Sequence, residues 1–317
     1  MKWKKLGKIF DPTKYKLSNN CFEFAQSPQT LIFDDFVRIY FSSREKDKNG
    51  KYLSNISFID IDKNFKKILS ISNHTVIELG SLGCFDEHGI FPLNIVKDKT
   101  KILGYIGGWN RKISVSVDTS IGLAISTDSG LTFQRIGTGP VLTSSLYEPF
   151  LIGDPFVANY GNEYHMWYIY GTKWINHSLE TEPQRIYKIG HATSKDGISW
   201  LKEGKQLITD KLNLDECQAH PTVICFNKIY HMLFCYRQQA DFRTNRNRGY
   251  RLGYAFSKDL RNWTRDDNVV GIDVSKNDWD SNMLCYPHMF RCDGKIYLLY
   301  NGNEFGRFGF GLAVLEN

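Results

Sequence analysis

Five prolines divide this chain into nearly equal parts. Pro28, Pro92, Pro155, Pro221 and Pro287 stand 64, 63, 66 and 66 residues apart, and each leads into an apolar stretch such as Pro155-Phe156-Val157 or Pro221-Thr222-Val223-Ile224. Sheets accept proline in few places, and the first residue of a strand is one of them. The register therefore predicts five units, each beginning with a proline-led strand. A repeat of this period means a modular fold whose units bury their apolar faces against one another.

The rest of each unit repeats as well. About a dozen residues after the proline comes an aromatic-rich strand: Arg38-Ile39-Tyr40-Phe41, Tyr164-His165-Met166-Trp167-Tyr168, Ile296-Tyr297-Leu298-Leu299-Tyr300. A third strand follows (Ile121 to Ser126, Ile189 to Ser194, Leu252 to Ser257), then a turn and an aromatic, as in Asp196-Gly197-Ile198-Ser199-Trp200. Aspartate followed by glycine is a strong hairpin signal. Four short strands per unit, five times over, predict an all-β fold: a five-bladed β-propeller with four-stranded antiparallel blades. It forms one domain over residues 1–317, with blades starting near 23, 86, 150, 216 and 282. The last unit stops at its third strand, Phe310 to Val314, while Trp3-Lys4-Lys5-Leu6-Gly7-Lys8 looks like the missing fourth. The N-terminal strand is expected to complete the last blade and close the ring, removing a sheet edge. Residues 174–185 read as a loop. Two tandem β-sandwiches are the alternative, but they predict no five-fold proline register.

Seven cysteines, an odd number with no C-x-x-C pair, argue against a disulfide framework or a thiolate metal site and for free thiols in a reducing cytoplasm. The opening Met1-Lys2-Trp3-Lys4-Lys5 lacks the apolar run of a leader, and no segment has the length of a membrane span. The net charge of +6 is spread without a basic block of the nucleic-acid type. No cofactor is expected, and the oligomeric state is open.

Chemistry is expected where each first strand begins and each second strand ends, at one opening of the central funnel. Glu23, Gln26, Asp86, Glu87, His88, Glu148, Asp154, Asp215, Glu216, His220, Asp280, Asn282 and His288 occupy the first set. Converging carboxylates repel, which separates their pKa values as glycoside chemistry requires. Asp154 and Glu216 are the candidate acid–base partners, with Glu23 and Glu87 assisting. The alternative is that such acids cap loops. Arg44 and Arg237 lie sixteen residues past a proline, with Arg111, Lys173 and Asn303 at or near that register. They suit an anionic substrate, such as a sugar acid, a phosphate or a nucleotide sugar, or else they neutralise the acids. The run Arg237 to Arg251 either rims the funnel or is a solvated loop. Trp109 is placed to stack on a sugar ring, whereas Trp167 is placed in the core. Asp86, His88, His220 and His288 are candidates for substrate hydrogen bonds. The histidines come from three blades at unmatched offsets, so no metal site is assigned.

This pattern of strand-opening prolines, Tyr-rich second strands and S-x-D-G-x-x-W turns resembles the five-bladed propeller glycosidases, the arabinanase, β-xylosidase, invertase and levansucrase group, with mannoside phosphorylases as relatives. The resemblance covers the whole chain. It implies three carboxylates from the first three blades, often in Asp-Pro. Only Asp154-Pro155 keeps that dipeptide; Ser27-Pro28 and Phe91-Pro92 depart from it. Glu216-Cys217 is similar to the group's Glu-Cys acid motif, one blade late. The expected activity is cleavage or transfer of a glycosyl bond on an anionic or activated sugar in intracellular glycan metabolism. The alternatives are a sugar-binding propeller without catalysis and an interaction scaffold.

Overall fold

The computed structural model describes residues 1–98, 101–176 and 182–316. The chain opens with β1 (Trp3–Phe10). Four-strand units follow in order. The first is β2 (Glu23–Ile32), β3 (Phe36–Lys46), β4 (Tyr52–Asp62) and β5 (Ile68–Ile71). The second is β6 (Gly89–Asp98), β7 (Lys101–Arg111), β8 (Val117–Ser126) and β9 (Gln134–Arg135). The third is β10 (Phe150–Tyr160), β11 (Glu163–Ile175), β12 (Gln184–Ser194) and β13 (Leu201–Lys202). The fourth is β14 (Cys217–Phe226), β15 (Ile229–Arg237), β16 (Arg251–Ser257) and β17 (Thr264–Arg265). The last run is β18 (Cys285–Cys292), β19 (Lys295–Asn301) and β20 (Phe310–Leu315).

Pairing within each unit is antiparallel. The first two units are joined into an eight-stranded sheet by a single parallel bridge between Ser54 and Gly89. The last sheet runs β18, β19, β20, β1, with Trp3 opposite Leu315 and Phe10 opposite Phe310, as the repeat predicts. The residue 174–185 loop is corrected in part: β11 and β12 pair through Trp174↔Arg185 and Ile175↔Gln184, and the tip beyond lies outside the described residues.

Among the described residues apolar side chains collect in five clusters, four of them between two neighbouring units and the fifth across the last three. One joins Leu31, Tyr40 and Phe58 to Ile90, Leu93 and Ile106; another joins Phe10, Phe290 and Leu299 to Ile39 and Phe41. The units also lock through their turns. Tyr40 in β3 donates its hydroxyl to the Gly130 carbonyl of the next unit, and Tyr105 in β7 donates to Gly197. Both glycines have positive φ, and a Cβ on Gly130 would collide with the Tyr40 oxygen. Glycine is therefore needed there for conformation and for closeness. Ahead of them, Ser126 and Ser194 take the turn N–H groups, and Asp128 and Asp196 accept several more, which holds both carboxyls below their usual range.

The prolines do not open their strands. Each first strand begins two to five residues earlier, and its pairing with the second strand breaks at the proline: between Gln26 and Gln29, Ile90 and Leu93, Gly153 and Phe156, Ala219 and Thr222, and Cys285 and His288. A residue without an N–H costs the ladder nothing where the ladder is already broken.

Phe10 ties β1 to two sheets, packing on Phe41 and Phe310 with ring centroids 5.0 and 5.4 Å away. Phe10→Ala is expected to lower stability by about 3–5 kcal/mol, read from urea unfolding.

Candidate functional site

The break in each first strand turns one side chain out of the pleat. The residues before the five prolines are Ser27, Phe91, Asp154, His220 and Tyr286. Ser27, Asp154, His220 and Tyr286 have φ of +52°, +49°, +49° and +54°, and Phe91-Pro92 is cis. A residue with a side chain seldom adopts such φ, and such strain gathers where a site holds it. These five side chains meet. Phe91, His220 and Tyr286 pack with centroids 4.6 to 5.1 Å apart, His220 Nε2 lies 2.5 Å from Ser27 Oγ, and His220 Nδ1 lies 2.7 Å from Asp154 Oδ2. That last contact is short but is not an aligned hydrogen bond, since His220 Nδ1 has no hydrogen-bond partner among the described residues.

Above this floor opens a cavity of about 480 Å³, lined by Phe91, Asp154 and Tyr286 below and by Arg44, Trp109, Arg185, Arg237 and Arg243 on its walls. None of the four arginines makes an ion pair among the described residues. Arg44 donates to Gln26 Oε1 and Ser54 Oγ, and burial pushes its guanidinium down to about 10. Arg237 is buried, donates to the Tyr187 hydroxyl and two carbonyls, and lies 3.6 Å over the Phe242 ring. Arg243 covers the same ring at 4.4 Å, and its pKa is lowered by burial and then by Arg237 and Arg185 nearby. Arg185 reaches Ser116 and Trp174. The lining carboxylates are Asp154, which is buried, and Glu182, exposed on the rim. Unpaired guanidiniums over aromatic faces in a recess suit a carboxylate or phosphate ligand.

The structure does not bring the other predicted acids here. Glu216 is fully buried outside the cavity lining, 2.6 Å from Arg265 of β17, and takes the N–H groups of Lys211 and Leu212. The same pattern recurs: Asp86 pairs with Arg135 of β9, Glu148 with Lys202 of β13 at 2.6 Å, and Asp280 with Lys5 of β1 at 2.6 Å. In four units an acid ahead of the first strand is thus neutralised by a cation on the outermost strand. Glu23 binds Tyr52 and Arg307, and Glu87 takes the Gly83 N–H. Glu23, Glu87 and Glu216 thus lie outside the cavity lining, each held by neighbours of its own.

Among the candidate ligand-binding residues, Arg44, Trp109 and Arg237 line the cavity. Asp86, His88, Arg111, Lys173, His220, His288 and Asn303 do not. His88 stacks on Trp109, and its pKa is lowered by burial and then by Arg111. Arg111 pairs with Asp47 and Lys173 with Asp215. Asn303 holds the Asn282 N–H in a turn. His288 accepts the Thr30 N–H, and burial pushes it down to about 3. Among the described residues no three His, Cys, Asp or Glu side chains converge on a metal-sized point. All seven cysteines are free, and Trp167 is fully buried. The Arg237–Arg251 run divides: Arg237, Phe242, Arg243 and Tyr250 line the cavity, while Arg246, Arg248 and Arg251 donate to backbone carbonyls.

No family model matches the chain. The uncharacterized protein Rv1502 of Mycobacterium tuberculosis (strain ATCC 25618 / H37Rv) is 34% identical over 318 residues, covering all of both chains, and MT1551 of strain CDC 1551 / Oshkosh matches equally. The chain belongs to their family. Among solved structures, BT0996 in a complex with RGII is 16% identical with a TM-score of 0.73, over 99% of this chain and 91% of that one. A protein from work on the GH130 mannoside phosphorylases and the β-1,2-mannoside hydrolases among them is 13% identical with a TM-score of 0.72, over 99% and 93%. The GH43_1 enzyme of Xanthomonas citri is 12% identical with a TM-score of 0.60, over 99% and 91%. The chain thus has the fold of the β-propeller glycoside hydrolases, at great sequence distance. Among the described residues no helix is long and apolar enough to cross a membrane.

Sequence reasoning missed Ser27, Phe91 and Tyr286 as floor residues, and Arg185 and Arg243 as walls. A signal was present for the floor: the residue directly ahead of each proline, rather than the acids a few positions earlier, points inward.

Two outcomes are expected. Glu216→Gln breaks a buried pair with Arg265 and should cost about 3 kcal/mol of stability in chemical unfolding, while ligand affinity of the cavity stays unchanged. His288, and His165, which burial and then His191 push down to about 4, stay neutral when folded. The unfolded chain takes up protons below the ordinary value of 6.5, so their stability contribution is full above it and is lost as pH falls toward 4 and then 3. Melting temperature should decline over that window.

Proposed function

We propose that this chain is a carbohydrate-active enzyme that makes or breaks a glycosyl bond of an anionic or phosphate-activated sugar in the cavity. Asp154 is its acid–base group. Arg44, Arg185, Arg237 and Arg243 hold the anion, and Trp109 stacks on a ring. We further infer that the five units close into a five-bladed ring forming one domain over residues 1–317, and that the protein works in the cytoplasm. The five inter-sheet clusters, the contact of β18 with β2 and the β1–β20 pairing support the ring.

The observation that carries the function is the charge arrangement: four arginines with no ion pair among the described residues, around one buried carboxylate. Hydrolysis of a glycoside uses two carboxylates, one to protonate the leaving oxygen and one to activate water or attack the sugar. An anionic acceptor or leaving group needs no second carboxylate, because it is already charged and the arginines stabilise it. Exchange of a sugar between an alcohol and a phosphate-type anion therefore fits the cavity better than hydrolysis does.

A second reading is a binding module without catalysis. It is favoured by Ser27 and Phe91, which stand where the glycosidase resemblance implies acids.

The test is thermal shift with a panel of sugar acids, sugar phosphates and nucleotide sugars, followed by product detection by NMR. A ligand at 100 times its Kd should add about 2.7 kcal/mol of stability. Asp154→Asn is expected to keep binding and lose at least a hundredfold in turnover, and Arg237→Met to lose binding. Neutral sugars binding as well as anionic ones would refute the anionic assignment. Binding without turnover of any panel member would favour the second reading.

A further inference from the structure

A second hollow adjoins the cavity. Its volume is about 540 Å³, and Val117 lines both spaces. Three elements supply a residue to each side. At the start of β10, Leu151 lines the cavity and Phe150 the hollow; at the start of β8, Thr119 lines the cavity and Asp118 the hollow. On the β11–β12 hairpin Trp174 stands opposite Arg185, whose guanidinium lies 5.9 Å over the Trp174 ring. Arg185 faces the cavity and Trp174 the hollow. Arg185 also donates to Ser116 Oγ, between β7 and β8, so one side chain ties two elements of this partition together.

The hollow differs from the cavity in charge. Its lining cations are Arg111 and Lys112. Arg111 donates to Asp47 Oδ2 at 2.8 Å, and Lys112 Nζ lies 3.6 Å from Asp118 Oδ2, so each has a carboxylate partner. The four cavity arginines have none among the described residues. What the hollow leaves open is largely apolar: Phe150 and Ile113 are exposed, Trp174 is half-buried, and the hydroxyls of Ser114 and Ser144 stand among them. An anion entering here meets cations already paired. A neutral sugar meets aromatic and aliphatic surface for the C–H faces of its ring and polar groups for its hydroxyl rim. The volume is within the range of small-molecule sites, about 300–1,000 Å³.

We propose that this hollow binds a neutral sugar, the one carrying the alcohol of the exchange, with its ring against Trp174 and Phe150. The proposal deepens the reading of the cavity as a site for an anionic or phosphate-activated sugar, and rests on it. The full substrate then spans both spaces, its charged part among the arginines and its neutral ring on the far side of Val117. Arg185 serves both halves, since it offers charge to the cavity and covers the Trp174 ring.

The test is a glycan array probed with the full-length protein. Glucuronic acid, galacturonic acid and mannose 6-phosphate are each printed alone and linked to one neutral hexose, beside neutral disaccharides. At least one acidic sugar is expected to be held about tenfold more tightly when it carries the hexose. Trp174→Ala and Phe150→Ala should each remove that gain and leave binding of the acidic sugar alone unchanged, while Trp174→Phe keeps most of it. Phe150→Ala leaves Arg185 its tryptophan, so it separates a lost sugar face from a displaced arginine, and melting temperature confirms that each variant is folded. The proposal is overturned if the hexose adds nothing to binding, or if Phe150→Ala weakens the acidic sugar alone as much as the linked pair. If neutral disaccharides bind through Trp174 and Phe150 while acidic sugars bring no advantage, the hollow stands and the anionic reading falls. If acidic sugars bind and the hexose adds nothing, the hollow alone falls. If no printed sugar is held, both fall.

Discussion

The architecture depends on an interrupted hydrogen-bond ladder. Proline has no N–H, so at the same point of five first strands the pairing with the neighbouring strand stops and then resumes in a shifted register. At four of the five interruptions the preceding residue takes a positive φ that its side chain resists, at an expense on the order of 1–3 kcal/mol each. In return, five side chains from five separate units reach a common floor. A regular strand would have directed them into the space between sheets, where the apolar clusters sit.

Charge is divided between two places. Acids ahead of the first strands are met by cations of the outermost strands, which fastens the two edges of a unit together. Buried ion pairs of this kind serve specificity of arrangement more than net stability. Because those acids are already neutralised, the arginines of the cavity are left without carboxylate partners among the described residues, and the recess holds four cations around one buried carboxylate. Both facts follow from one allocation of charges.

The sheet arrangement was legible because periodicity survives any local detail: proline spacing, aromatic second strands and Ser-x-Asp turns predicted the strand order, and the likeness of Trp3-Lys4-Lys5 to later fourth strands predicted the pairing of β1 with β20. The site was legible only in part. Arg44, Trp109, Asp154 and Arg237, read from register, line the cavity, since a repeat places equivalent positions equivalently. Glu216 and Asp86 lie outside the lining, because sequence distance from a proline does not reveal which way a side chain turns, and the partners Arg265 and Arg135 lie 49 residues away. Ser27, Phe91 and Tyr286 carried no signal as residue types; their signal was their place directly ahead of a proline. Arg243 sits in a loop whose basic run gave no means of separating ligand-facing from carbonyl-bound arginines.

The pairing of β1 with β20 joins residues whose separation in the chain is 300 positions at Phe10 and Phe310. At ribosomal rates the first strand leaves the exit tunnel roughly fifteen seconds to a minute before its partner exists. During that interval it is an unpaired edge, the kind of segment that seeks other strands. Its lysines at positions 2, 4, 5 and 8 keep it soluble and unattractive to other chains while it waits. The final sheet is thus a seam that can be sewn only after synthesis has passed through every other unit, and the cavity floor, which takes Tyr286 from that sheet, is assembled last.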